Sequence, residues 1–175
     1  LVEGAVGDWS ALYLFEDKGI VIEEAVMGVM LFNGTMCIGR LLGNRLGKHL
    51  TSKQVVVGGY LLGSIAMGLI VFLPGHASMY TYLLLGISLA MIVPNLFSAM
   101  GEQNVIPMTQ AVATSTMLGY MGILMGPALI GFIAHGTSLT VAFIVLTTLL
   151  VVSAGIGKYA YHLMSKDCGL SEEQI

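Results

Sequence analysis

Charge is what this sequence has least of. Seven Lys and Arg and ten Asp and Glu make up 10% of 175 residues, against about 25% in ordinary soluble domains. So few charges cannot cover the surface of a water-soluble protein, which excludes a soluble enzyme and a disordered chain. Seven basic residues cannot line a basic groove either, so nucleic acid is excluded as a partner. Cysteine is nearly absent. Cys37, in an apolar run, and Cys168, in a polar tail, make neither a disulfide framework nor a zinc site. His49, His76, His135 and His162 are scattered, none of them three or four residues from another His or Cys. A metal cluster is therefore not expected, and no cofactor is called for. The start, Leu-Val-Glu-Gly-Ala-Val-Gly-Asp-Trp, lacks both Met and the basic, then apolar, layout of a signal peptide. The expectation is a sequence that begins inside a longer chain.

What the sequence has is apolar length. Hydrophobic residues reach 56% and mean hydropathy is +0.87. No Asp, Glu, Lys or Arg occurs from Gln54 to Gly101, or from Gln103 to Gly157. A helix crossing the roughly 30 Å hydrocarbon core needs about 20 apolar residues. The first charge-free stretch holds two such spans, divided at Pro74-Gly75-His76, and the second holds two more, divided near His135. The predicted spans are 1–15 (partial), 24–45, 54–73, 78–101, 108–135 and 138–163, with 164–175 as a tail. They show no alternation and are too long for buried strands, so barrel strands are excluded. In lipid the backbone must bond to itself, and the runs must be helices. The fold class is all-α, a polytopic membrane helix bundle whose first partner is the lipid bilayer.

The loops set an orientation. Arg40, Arg45, Lys48 and Lys53 gather after the second span, and Lys158 and Lys166 mark the end of the last. Lys18 alone falls on the opposite side, beside Glu16, Asp17, Glu23 and Glu24. The side with six of the seven basic residues is predicted to be cytoplasmic. The C-terminal tail is then inside, and the turns at 74–77 and 135–138 face out. Small residues recur at close-contact spacing: Gly39, Gly43 and Gly47; Gly59 and Gly63; Gly122 and Gly126. Such spacing suits helices that approach closely in a membrane, either as generic contact or as surfaces that slide.

Three stretches carry more specific signals. The first is Gly39-Arg40-Leu41-Leu42-Gly43-Asn44-Arg45-Leu46-Gly47-Lys48-His49. It resembles the cytoplasmic loop motif of the major facilitator superfamily, G-x-L-a-D-R-x-G-R-R/K. Asn44 stands where the family prefers Asp, and Arg40 where it prefers Gly. A latch between helices built on Asn44 would rest on hydrogen bonds rather than an ion pair. The alternative is a plain positive loop. The second stretch is Gly119-Tyr120-Met121-Gly122-Ile123-Leu124-Met125-Gly126-Pro127-Ala128-Leu129-Ile130-Gly131, which resembles the eleventh helix of the same superfamily. Pro127 removes a backbone donor and disfavours a straight helix. The helix reads as a hinge or gate, or as a kinked structural helix; both readings stay open.

The third stretch, Glu3-Gly-Ala-Val-Gly-Asp8-Trp9-Ser10, resembles the seventh helix of a bacterial branch related to the fucose permeases. Glu3 and Asp8 lie about 140° apart at 100° per residue. Carboxylates inside a membrane are costly and usually face a cavity or a partner, so both are candidates for substrate or a coupling proton. The alternative is that they solvate the helix end. Asn33 and Asn95, the latter just after Pro94, are further candidates for the pathway. Their structural alternative is an interhelical hydrogen bond. Gln110, Thr114 and Ser115 open the fifth span and add polar groups to the same list. Trp9, Tyr80 and Tyr82 read as interface anchors.

The resemblance covers nearly the whole chain and implies helices seven to twelve of a twelve-helix transporter. It implies a missing N-terminal six-helix half, a small-molecule substrate near the midplane and alternating access. The expected activity is secondary active transport, ion-coupled, of a sugar-like metabolite, in a bacterial inner membrane. Export of a drug or metabolite is the alternative within that class. A remnant or a small membrane subunit is the alternative outside it. An intramembrane enzyme finds little support: Glu23-Glu24 is followed by Gly28 rather than Arg, and no His-Glu-x-x-His occurs.

Overall fold

The structure, a computed structural model, describes residues 1–46, 50–102 and 106–168. These residues are all-helical and contain no strand. Gly47, Lys48 and the tail from 169 lie outside the described residues, as do the side chains of Asn44 and Arg45.

The helices are α1 (Val2–Glu16), α2 (Ile22–Leu46), α3 (Ser52–Phe72), α4 (Gly75–Ala90), α5 (Ile92–Glu102), α6 (Met108–Gly136) and α7 (Leu139–Cys168). Five segments are long and apolar enough to cross a membrane: Ile22–Gly43, Ser52–Phe72, Gly75–Gly101, Met108–Gly136 and Leu139–Leu163. The chain is thus a multi-pass integral membrane protein. At 1.5 Å per residue, the 15 residues of α1 extend about 22 Å.

Local sequence sets the boundaries. Thr51 opens α3 with a capping box: its hydroxyl accepts from Gln54 N at 3.3 Å, and Gln54 Oε1 accepts from Thr51 N at 3.1 Å. Gly19 (φ +68°) and Gly75 (φ +49°) supply the left-handed backbone that two of the turns require. Pro94 splits the third long span. Its ring cannot donate to the Ala90 carbonyl and crowds it, so α4 ends at Ala90 and α5 restarts at Ile92. Asn95 repairs the break, donating to Met91 O from its backbone at 3.2 Å and from Nδ2 at 2.8 Å.

The helices form a closed circuit of neighbours: α1 on α2, α2 on α4, α4 on α3, α3 on α7, α7 on α6, and α6 back on α1. Tyr13, Tyr82, Phe32 and Phe143 fill the middle. Tyr13 and Phe143 stack at 4.2 Å between ring centroids, joining α1 to α7. One end of the bundle is tied by polar contacts. Lys18 Nζ donates to Val71 O at 2.6 Å, Thr140 Oγ1 donates to Asp17 Oδ1 at 3.0 Å, and His76 Nε2 lies 2.7 Å from Glu24 Oε2. Burial pushes the Lys18 ammonium below its ordinary range, and Asp17 opposes that shift.

Two aromatic residues differ from the interface role expected of them. Tyr82 is fully buried. Trp9 lies half-buried between α1 and α6, where its Nε1 donates to Pro127 O at 2.9 Å. Tyr80, by contrast, is exposed near the start of α4.

Candidate functional site

Two opposite charges meet within the helices. Arg40 Nη2 donates to Glu3 Oε1 at 3.3 Å, from α2 to α1. Glu3 stands 13 residues before the end of α1 at Glu16, which is about 20 Å along the axis. Arg40 is 18 residues into α2, counted from Ile22, or about 27 Å. The charge pattern of the sequence groups Arg40 with the basic loop. It also falls inside the predicted span 24–45, and in the structure it is a helical residue with six more residues of α2 beyond it. Its side chain is 45% exposed and that of Glu3 34%, so the pair is reachable rather than entombed.

The pair borders a cavity of about 400 Å³ walled by α1, α2, α5 and α6. Ser115, Thr116 and Tyr120 bring hydroxyl groups to its wall, and Phe97 an aromatic face. A second cavity, of about 250 Å³, shares Glu3, Gly119 and Ile123 and adds Tyr60. Glu3 therefore stands on the wall common to both. Arg40 has five N–H donors and no acceptor. Glu3 accepts one of them, which leaves donors for an oxygen-rich solute.

The other candidates are placed differently. Asp8 is exposed, on a different face of α1 from Glu3. Asn33 is exposed and its Nδ2 donates to Val29 O at 3.0 Å, in its own helix. Asn95 is half-buried and bonds Met91 O, one turn back. Among the described residues, neither amide makes the interhelical bond considered for it. Of the loop motif from Gly43 to Lys48, only Gly43 has described surroundings, and it abuts the Met91 side chain.

The Gly-Pro helix meets α1. Pro127 sits inside an unbroken α6 and leaves the Ile123 carbonyl without its helical donor. Gly4 lies over that carbonyl: a Cβ there would stand 2.8 Å from Ile123 O. Gly126 faces the Leu1 carbonyl, where a Cβ would stand 2.7 Å away, and Gly122 faces the same residue. Gly131 faces the Trp9 ring at 2.7 Å from such a Cβ. Gly119 has open space and lines both cavities. The residue that sequence reasoning misses is Arg40; the available signal is an Arg inside the predicted span 24–45 beside a span that carries carboxylates.

The chain has relatives of similar sequence. It is 41% identical over 157 residues to a protein of Yersinia pestis described as an uncharacterized MFS-type transporter, a match covering 88% of this chain and 40% of that protein. It is 28% identical over 159 residues to the membrane protein MosC of Rhizobium meliloti, covering 89% and 39% respectively. It is 28% identical over 149 residues to an uncharacterized transporter of Sinorhizobium fredii, covering 83% and 39%. The chain spans about two fifths of the length of these curated relatives. No family model matches it, and no solved structure does.

Proposed function

We propose that this chain is the C-terminal six-helix half of a major facilitator superfamily transporter, with Glu3 and Arg40 on its solute pathway. The whole protein moves a small polar solute by alternating access, coupled to an ion gradient. Its relatives are described as transporters rather than enzymes, and the likeness runs along most of the chain. In this reading α1 to α3 correspond to helices seven to nine, α4 with α5 to helix ten, and α6 and α7 to helices eleven and twelve. The protein sits in a bacterial inner membrane with its C-terminus in the cytoplasm.

The observation that carries the reading is the Glu3–Arg40 pair beside a cavity of about 400 Å³. Glu3, about 20 Å along α1 from Glu16, lies at membrane depth, where a carboxylate is costly and is retained when it meets substrate, an ion or a partner charge; Arg40, about 27 Å from the start of α2, reaches it from near the far boundary. In the cavity, Arg40 holds solute oxygens and Glu3 accepts the coupling proton when a solute group takes its place on Arg40. A sugar-like metabolite would meet the hydroxyls of Ser115, Thr116 and Tyr120 and the Arg40 guanidinium on a wall that is otherwise largely apolar. The bend at Pro94 and the Gly-Pro helix α6 border the same space, so movement of either alters access to it.

The test uses the full-length protein in proteoliposomes. A panel of neutral sugars, sugar alcohols and sugar acids is screened for uptake under an inward proton gradient. The expected result is at least one transported solute whose rate falls about tenfold or more in both Glu3→Gln and Arg40→Gln, equal to a loss of about 1.4 kcal/mol. Transport of a solute at wild-type rate and with wild-type pH dependence by both variants would remove the pair from the pathway.

A further inference from the structure

The end of the α3–α7 pair opposite the tied turns carries a groove of about 510 Å³ that the transport reading does not use. Lys53 from α3 and Lys158 from α7 stand at its rim, with Thr51 and Gln54 of the capping box. Lys158 lies 19 residues beyond Leu139 in α7, about 28 Å along the axis. That distance nearly equals the roughly 30 Å hydrocarbon thickness, so the lysine stands at the membrane boundary. Its neighbour Tyr159 is exposed, as suits an interfacial aromatic. Lys53 is the second residue of α3, so the positive end of a 21-residue helix adds to the same rim.

Below the rim the groove turns apolar. Val57, Gly58 and Leu61 line it. A Cβ on Gly58 would meet nothing within 4 Å, and Leu61 is exposed. One residue before Lys158, Gly157 rests against Val56 and Val57, each 3.8 Å from a Cβ placed there. That contact holds the lysine at the groove's edge. A cationic rim at the boundary above an apolar channel at membrane depth matches one ligand chemistry: a phosphate monoanion attached to acyl chains.

We propose that this groove binds an anionic phospholipid, its phosphate between Lys53 and Lys158 and an acyl chain along Gly58 and Leu61. Each lysine near an anionic membrane surface contributes about 1 kcal/mol, or about a fivefold preference.

The test is native mass spectrometry of the full-length protein released from micelles containing equal phosphatidylglycerol and phosphatidylcholine. Wild type is expected to retain phosphatidylglycerol preferentially. Lys158→Gln should lower that preference about fivefold, and Lys53→Gln with Lys158→Gln should abolish it. Gly58→Leu, which keeps both charges, should lower retention by filling the apolar floor. Unchanged thermal unfolding of the variants shows that they remain folded. Equal retention of the two lipids by wild type would overturn the proposal. So would a preference that survives loss of both lysines, or retention unaffected by Gly58→Leu. Displacement of the lipid by excess inorganic phosphate would assign the rim to a free anion instead and equally overturn it.

Discussion

The contact between Trp9 and Gly131 joins α1 to the Gly-Pro helix and can be tested by a double-mutant cycle. A Cβ on Gly131 would lie 2.7 Å from Trp9 Cζ2 and 3.3 Å from Cη2. Gly131→Ala alone therefore overpacks the contact, costing about 1–3 kcal/mol. The gain in helix propensity, about 1 kcal/mol, offsets part of this. The net expectation is a destabilisation of up to about 2 kcal/mol. Trp9→Phe alone loses the hydrogen bond to Pro127 O, at about 0.5–1.5 kcal/mol. In the Trp9→Phe background the ring atoms that a methyl at position 131 would strike are gone. Only the propensity gain remains, so the same Gly131→Ala change should then stabilise by up to about 1 kcal/mol. The assay is equilibrium unfolding of the full-length protein in mixed micelles, for wild type, both single variants and the double. A coupling of about 1–3 kcal/mol, with reversal of sign for Gly131→Ala, is expected. Additivity within about 0.5 kcal/mol would show that the two residues do not touch.

Gly126→Leu in the full-length protein should impair uptake by forcing α6 off α1; unchanged expression with unchanged uptake would deny a close contact there. Lys18→Met removes the donor at Val71 O and should cost about 0.3–1 kcal/mol in the same unfolding assay, whereas no change would mean that the α1–α2 loop does not tie the end of α3. For orientation, a cysteine at Leu50 should react with an impermeant reagent from the cytoplasmic side, and one at Thr137 from the outside; the reverse pattern would invert the topology.

The spans are legible in the sequence because lipid leaves so few solutions. A charge-free run long enough to cross has to be helical, and the run from Gln54 to Gly101 needs only Pro74 and Gly75 to show its division. Pro94 likewise announces the interruption that appears at Met91. Side-chain partners are less legible. Counting charges along the chain puts Arg40 with a loop, because its partner, Glu3, is 37 residues away and becomes a neighbour only when α1 and α2 align. Trp9 looks like an interface anchor until Gly131 makes room for its ring on α6. Asn33 and Asn95 look like interhelical donors, yet Asn33 finds the Val29 carbonyl one turn back in its own helix and Asn95 the Met91 carbonyl at the α4–α5 break. Periodicity reports where a residue sits on its helix; it does not report which helix comes alongside.

If Glu3 and Arg40 lie on a solute pathway, the exposed surface of this bundle is of two kinds, water-lined at that pair and lipid-lined elsewhere. Cysteine accessibility separates the two without knowledge of the solute. In a full-length protein lacking other cysteines, with Cys37 and Cys168 replaced by Ser, single cysteines are placed at Thr116, on the cavity wall, and at Ile65, exposed on α3. A charged methanethiosulfonate reagent reacts with thiolates and needs water to form them. Rapid modification at position 116 and none at position 65 is the expected result. Modification at 65 with 116 inert would contradict a water-lined pathway at Glu3 and Arg40.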